Sequence, residues 1–518
     1  MGGHHRCRVL VAAVLVTLAV LAGCSSDDAG DGEDAVTFTA RAPEEIAPPP
    51  AEGNGIVLPQ PASAMPDGYV QEEYLVGGTA TRFDAVDTPD DGAWTATPGD
   101  EAEYRTRVIV RRPQAARDFS GTVVVEWFNV SAIESSPDWA YLSQEIGRQG
   151  HAYIGVSTQA QGVEGGDTII DVEVDQDEAE ASGVTADTSG LKNIDPERYG
   201  TLEHPGDAYA YDIFNQVGVA AADGGLLGDL VPTQVIAVGE SQSAFFLSTL
   251  ANAVHPLDPV YDGFLIHSRG ATVPPLDGEL VSRAEREDAE EALADGVLIR
   301  TDLDVPVMLV ETETDLTLLG YAAARQPDTD RLRTWEVAGT AHADAHLMRA
   351  IVGGPRDPGL GSLIGCPEPI NTGPHHEVVS AAFHNLVTWV ADGTTPPAGE
   401  PIELVEGDEV AIARDEDGNA LGGVRNPLVD VPVATLSGDP PGGASIDEVT
   451  DEGAGVCVLF GSTVPFDRAT LLDRYGTADD YVAAFRASAD AAVAAGFLLP
   501  PDADELIAEA EENRALFE

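Results

Sequence analysis

An apolar run, Gln234-Val235-Ile236-Ala237-Val238, leads into Gly239-Glu240-Ser241-Gln242-Ser243, and Ala244-Phe245-Phe246-Leu247 continues in helical spacing. Strand, sharp turn and helix in so few residues leave little choice of fold. The strand must end at one edge of a sheet, where the helix turns back along it. A serine at the apex of such a nucleophile elbow has its oxygen held clear of the backbone. Gly239 and Ser243 are small, as the close approach of strand and helix backbones requires. The last of the five positions is usually Gly, so Ser243 is a departure.

The surrounding pattern agrees with a sheet of this kind. Tyr69-Val70 to Leu75-Val76 and Tyr104 to Val110 read as strands, the second partly alternating and suited to an antiparallel edge. Then come Val123-Val124-Val125, a helix with Trp139, Leu142 and Ile146 on one face, and Ala152 to Ser157. A helix near Ala208–Ala221 precedes the elbow strand. Gly263 to His267, Val305 to Val310 and Thr334 to Val337 complete the series. Apolar strands alternating with helices predict an α/β domain, with a mostly parallel sheet covered on both faces.

A serine hydroxyl is a poor nucleophile until a base takes its proton, and the base is normally a histidine oriented by a carboxylate. Both stand downstream in order. Glu311-Thr312-Glu313-Thr314-Asp315 follows one strand, and Gly339-Thr340-Ala341-His342-Ala343-Asp344 follows the next. Nucleophile, acid, histidine is the chain order of α/β-hydrolases. The candidate catalytic residues are therefore Ser241, Asp315 and His342. Glu311 is expected on the strand, and Glu313 is the alternative acid. The oxyanion of a tetrahedral intermediate needs preorganised N–H donors. The backbone of Gln242 is expected to supply one. The loop after Val123–Val125, Trp127-Phe128-Asn129, is expected to supply the second, with Asn129 the choice. His346, His375, His376 and His384 read as structural. Such a site needs no metal or cofactor and takes a small-molecule ester substrate, by hydrolysis or by acyl transfer through the same intermediate.

Two other classes remain open. His342 and His346 stand four residues apart, a metal-ligand spacing if that segment is helical, although Ala343 occupies the place where a zincin carries Glu. A binding lipoprotein on a hydrolase-like fold is the other. The acidic run Asp415-Glu416-Asp417-Gly418-Asn419 reads as a hairpin turn. A calcium loop of the EF-hand kind needs Gly sixth and Glu twelfth, and here those are Ala420 and Asn426.

Several stretches together resemble an uncharacterised bacterial α/β-hydrolase domain family of secreted or lipid-anchored proteins. They are Val125-Glu126-Trp127-Phe128-Asn129-Val130-Ser131, His204-Pro205-Gly206-Asp207-Ala208, the elbow, Glu313-Thr314-Asp315 and Ala338 to Asp344. Asn371-Thr372-Gly373-Pro374-His375-His376 and Gly422-Gly423-Val424-Arg425 also match. The resemblance runs from about Tyr69 to the C-terminus. It implies an α/β-hydrolase fold with a serine-hydrolase triad at Ser241, Asp315 and His342, and it implies no particular substrate.

The N-terminus reads as a targeting segment. Arg6 and Arg8 precede an apolar run from Val9 to Ala22, and Leu21-Ala22-Gly23-Cys24 looks like the lipobox of a bacterial lipoprotein. The expectation is cleavage before Cys24, lipidation of that residue, and an extracytoplasmic protein anchored to the membrane. Of the remaining cysteines, Cys366 and Cys457 are expected to pair outside the cytoplasm. Such a bridge closes a loop of about 90 residues, with a model stabilisation of roughly 4 kcal/mol. The net charge is −62, with Lys192 the one lysine among 27 Lys and Arg. So acidic a chain argues against nucleic-acid binding, which needs basic patches on phosphate. The expected organisation is a signal peptide at 1–23, a disordered acidic and Pro-rich tether at 24–60, and one hydrolase domain at 61–518. Within that domain, 271–303 reads as a lid-like insertion, 395–465 as a strand-rich extension and 467–518 as helices.

Overall fold

Among the described residues nine strands form the central sheet, in the order β1-β2-β3-β5-β4-β6-β7-β8-β9. β1 is Glu45–Ala47, β2 Tyr69–Asp87, β3 Thr95–Pro113, β4 Thr122–Trp127 and β5 Ala152–Val156. β6 is Gln234–Glu240, β7 Gly263–His267, β8 Val307–Thr312 and β9 Leu332–Val337. The computed structural model describes residues 38–60, 63, 65–166, 190–278, 296–354, 356–366, 369–405, 407, 410–439 and 455–518. These residues, from Phe38 onward, form one compact unit. The expected signal peptide and Cys24 lie outside them. So do 279–295, the centre of the expected lid-like insertion.

The six strands β5 to β9 with β4 are parallel, and β1 to β3 are antiparallel additions at one side. β4, β5, β7 and β8 are buried end to end and β6 all but its first residue, as near-continuous Val, Ile and Leu runs require. One face carries helices Ala210–Ala222 and Gln242–Thr249, whose Phe214 and Phe246 rings each lie 5.1 Å from Trp127. The other carries Pro137–Gln149 and His375–Asp392. The α/β expectation, with helices on both faces, matches this architecture.

β2 and β3 are much longer than their apolar segments suggest, at 19 residues each. They pair with one another as a long twisted hairpin, and cross-strand polar pairs replace apolar alternation. Arg112 Nε donates to Glu72 at 2.9 Å and Arg111 Nε to Gln71 at 2.8 Å. A tether running to residue 60 is corrected over its described part. Glu45–Ala47 pairs with Leu75–Gly77 of β2, and Phe38 packs edge-on against Phe83 at 5.0 Å. Ala40 is buried as well. Apolar residues too few to show a period are still enough to seat a segment on an open sheet edge.

Beyond β9 the chain covers the remaining sheet edge. Val424 forms a parallel bridge to Val337, and its N–H donates to the Glu336 carbonyl at 2.7 Å. The strand content expected at 395–465 amounts to two small ribbons among the described residues. One pairs β10 (Leu404–Val405) with β11 (Ala411–Ile412), and the other pairs β12 (Ala434–Ser437) with β13 (Ser462–Pro465). The turn at Asp415–Asn419 closes a hairpin between Arg414 and Ala420, with Gly418 at φ 82°. Asp415 Oδ1 caps it by accepting from the N–H of Asp417 and of Asn419. Cys366 and Cys457 are joined by a disulfide with their Cα atoms 5.5 Å apart. Three helices, Arg468–Tyr475, Ala478–Ala495 and Pro500–Glu512, close the chain around Leu471, Tyr481, Phe485 and Leu506. Thr477 caps the second of them by accepting from Asp480 N–H. No helix among the described residues is long and apolar enough to cross a membrane.

Candidate active site

The register of the parallel strands sets where the site forms. Glu240 pairs with His267, His267 with Val310, and Thr312 with Val337. The carboxyl ends of β6 and β7 are therefore level, β8 and β9 run two residues further, and the residues that follow all four emerge at one edge. Adjacent strands lie about 4.8 Å apart, so the loop after β9 must cross roughly 14 Å to reach the end of β6. Five residues, Ala338 to His342, make that crossing.

Ser241 stands at the turn from β6 to the helix Gln242–Thr249, with φ 58° and ψ −124°. A non-glycine residue at positive φ is strained, and such strain persists only where the surroundings enforce it. Here Ser241 N–H donates to the His267 carbonyl at 2.9 Å, and its own carbonyl accepts from Phe245 N–H at 3.1 Å. The crowding expected at Gly239 is present. A Cβ there would stand 3.1 Å from the backbone of Ser243, which is itself fully buried.

The Ser241 hydroxyl, partly exposed, lies 2.8 Å from His342 Nε2, and His342 Nδ1 lies 2.6 Å from Asp315 Oδ1. His342 and Asp315 are buried. Burial alone would push the Asp315 carboxyl up, but the His342 ring and the hydrogen bonds from Thr312 outweigh it and hold the group below its ordinary value. Burial would lower His342. The charge and hydrogen bond of Asp315, with a contribution from Glu240, outweigh that and raise it.

The two candidate acids do different jobs. Asp315 is the third residue of a short helix, Glu313–Thr317. Thr312 and Asp315 form a capping box. Asp315 Oδ2 accepts from Thr312 N–H at 2.7 Å and Oγ1–H at 2.8 Å, which leaves Oδ1 for His342. Glu313 faces away from the histidine ring. Its Oε1 accepts from Gly339 N–H at 2.6 Å, and its Oε2 accepts from Gly438 N–H at 3.0 Å and from Arg414 at 2.9 Å. Thr314, between them, accepts from His342 N–H at 3.2 Å and donates to the Gly438 carbonyl at 2.8 Å. Three consecutive side chains thus hold the loop after β9. Asn371 adds to the support by donating from Nδ2 to the carbonyls of Gly339 and Ser437, each at 3.0 Å. Gly373 must lack a side chain, because a Cβ there would collide with the Gly339 carbonyl. Ala343 N–H donates to Leu459 at 2.9 Å, two residues from the disulfide-bonded Cys457.

Gln242 opens the helix, and the first N–H groups of a helix have no intrahelical acceptor. Asn129, the other expected donor, is engaged elsewhere. Its N–H donates to Ser135 O at 2.9 Å, and its side-chain amide donates to Glu240 O at 3.2 Å. The neighbouring N–H groups are also taken: Phe128 donates to Val156 O, Val130 to Gln242 Oε1 and Ser131 to Asn129 Oδ1. A tight β-bridge between Asn129 and Ser135 consumes the amide that an open loop would have presented. Trp127 and Phe128 are core residues.

His342 and His346 do not converge. The helix begins at Ala345, so His342 precedes it. Its Nε2 meets Ser241, whereas His346 Nε2 meets the Ala140 carbonyl at 3.1 Å. The histidines expected to be structural are bonded within the fold. His376 Nδ1 meets Tyr141 O at 2.7 Å, His384 Nδ1 meets Glu145 at 2.8 Å, and His375 meets His267 at 2.6 Å. Among the described residues no group of three or more His, Cys, Asp or Glu is placed to hold a metal ion.

Two participants escape sequence reading. Gln242 uses its side chain to clamp the loop after β4 to the elbow. Glu240 lies buried beside the histidine, with Oε1 3.6 Å from His342 Nε2. Its place directly before the nucleophile was visible, but only the crossing of the loop after β9 brings the imidazole against it.

A model of the alpha/beta hydrolase domain matches residues 43–508. The chain belongs to the alpha/beta hydrolase domain family. The match takes in most of the C-terminal extension, which supplies Gly438, Arg414 and Leu459 around the histidine loop of this hydrolase. A search of curated proteins finds no match. Among solved structures, the esterase Est22 is similar at 12% identity and TM-score 0.29, over 55% of this chain and 76% of that one. An acetyl xylan esterase from Paenibacillus sp. R4 is similar at 14% identity and TM-score 0.24, over 51% and 77%. A fungal esterase from Rhizomucor miehei is similar at 9% identity and TM-score 0.24, over 50% and 74%.

Proposed function

We propose that this hydrolase cleaves carboxylic esters through an acyl-enzyme formed on Ser241. The observation that carries the reading is the unbroken chain from Ser241 Oγ through both nitrogens of His342 to Asp315, ending on a strained serine at the sheet edge. In the forward step His342 Nε2 takes the serine proton as Oγ attacks the ester carbonyl. The proton then passes to the departing alkoxide, and the C–O bond to the alcohol breaks. Water repeats the sequence on the acyl-enzyme and releases the carboxylic acid. Asp315 accepts from Nδ1, fixes the tautomer and stabilises the imidazolium. The Gln242 N–H is the oxyanion donor this reading assigns from the elbow. Transfer of the acyl group to an alcohol other than water uses the same groups.

The test is labelling with a fluorophosphonate, mapped by peptide mass spectrometry, followed by an ester panel graded in acyl length. Stoichiometric modification of Ser241 is the expected result. An unmodified Ser241 in folded protein sinks the reading. The membrane partner is a second proposal, resting on Leu21-Ala22-Gly23-Cys24. Lipidation at Cys24 is expected to send the mature protein into the detergent phase of a cloud-point partition. Cys24→Ser is expected to leave it in the aqueous phase, and identical partition of the two proteins counts against the anchor.

A further inference from the structure

Glu240 is the last residue of β6, adjacent to Ser241, and it is buried. Its Oε1 lies 3.6 Å from His342 Nε2, the nitrogen that also meets Ser241 Oγ. Its Oε2 is 3.5 Å from the Asn129 amide, which fixes the carboxyl plane from the other side. Other titratable groups act on it from the surrounding elements: Asp315 after β8, Asp138 and Tyr141 on the helix Pro137–Gln149, and His342 after β9. Only His342 among these becomes a cation. Asp138 and Asp315 oppose the charged form of Glu240 and His342 favours it, while burial pushes the group up to about 8. A carboxyl group kept in such surroundings serves no ion pair at rest. The one positive charge it meets among these groups is the imidazolium made during turnover.

We propose that Glu240 is a positioning residue that acts through His342, its carboxyl setting the basicity of the imidazole from the side of the nitrogen that receives the serine proton. The inference rests on the triad reading above. Asp315 holds the Nδ1 side, so the imidazolium stands between two carboxyl groups. Below about pH 8 the carboxyl is protonated and is a neutral neighbour; above it the anion favours the charged imidazole and raises its pKa. Removing the group therefore removes a titration above neutral pH, and with it the anion's support of the imidazolium.

The test uses the mature protein and needs no natural substrate. The rate at which a fluorophosphonate modifies Ser241 is measured from pH 5 to 10 for wild type, Glu240→Gln and Glu240→Asp. In Glu240→Gln, which keeps size and the acceptor for Asn129, the inflection above neutral pH is expected to disappear, and the rate above it to change several-fold. Glu240→Asp is expected to keep the inflection. A purely structural role would lower the labelled fraction without changing the shape of the profile, so profiles of the same shape in wild type and Glu240→Gln overturn the proposal. If Glu240→Gln does not fold, the wild-type profile decides. A second inflection above neutral pH supports the proposal, and a single-proton limb across the whole range overturns it. Absence of labelling in wild type is a separate outcome that removes the triad reading, and this inference with it.

Discussion

Ser241→Ala is expected to remove ester hydrolysis, with turnover falling by at least about 10⁴-fold, while the fold stays intact. The loss is large because the triad acts as a unit. Without Oγ, His342 has no proton to take and no covalent intermediate forms. The stability cost is small. One hydrogen bond to His342 is lost, worth about 1 kcal/mol, and alanine carries the same backbone strain at φ 58° as serine. Thermal unfolding and turnover on one preparation check both halves. Wild-type turnover by the purified variant would show that the elbow serine is not the nucleophile.

Glu313→Ala is expected to do the reverse, damaging stability first and activity through it. Glu313 is buried and accepts from Gly339 N–H, Gly438 N–H and Arg414. Its removal leaves two buried N–H groups without acceptors and leaves Arg414 with Asp439. Breaking a buried ionic network by deleting one partner costs about 3–5 kcal/mol. Denaturant unfolding is expected to show a loss of that size, seen as a lower midpoint with little change in slope. Because Gly339 opens the loop that carries His342, Ser241 labelling is expected to slow as well. Glu313→Gln keeps one acceptor and is expected to fall between. A Glu313→Ala protein as stable as wild type, but unable to react at Ser241, would instead make Glu313 the acid that serves His342.

Much of the fold was legible before any coordinates, and the misses have particular causes. Val123–Val125, Ala152–Val156, Gly263–His267 and the elbow strand are apolar along their length, which marks buried parallel strands. β2 and β3 were seen only where apolar residues cluster. Elsewhere their stability comes from each other, through pairs such as Arg112 with Glu72 that no single segment reveals. The start of the domain was placed too late for the same reason. Glu45–Ala47 has no pattern of its own and is a strand because β2 offers an unpaired edge.

The sequence by itself determined the buried parallel strands and the helices between them, the elbow and the order nucleophile, acid, histidine. These depend on local chemistry: side-chain period, a small-residue turn, a cap. Only the tertiary structure decided which atoms meet. Ser241 and His342 are 101 residues apart and Asp315 and His342 are 27 apart, so their contact depends on strand register and on one loop crossing three strand spacings. Asp315 was the chosen acid and Glu313, two positions away, the alternative; the capping box turned the first toward the imidazole, and the backbone of Gly339 and Gly438 claimed the second. Asn129 lost its assigned role because a bridge to Ser135 used its amide. Glu240 gained one because the returning loop laid His342 beside it. Hydrogen-bond partners across a parallel sheet are set by what each neighbour leaves unpaired, and that is known only once the chain has folded.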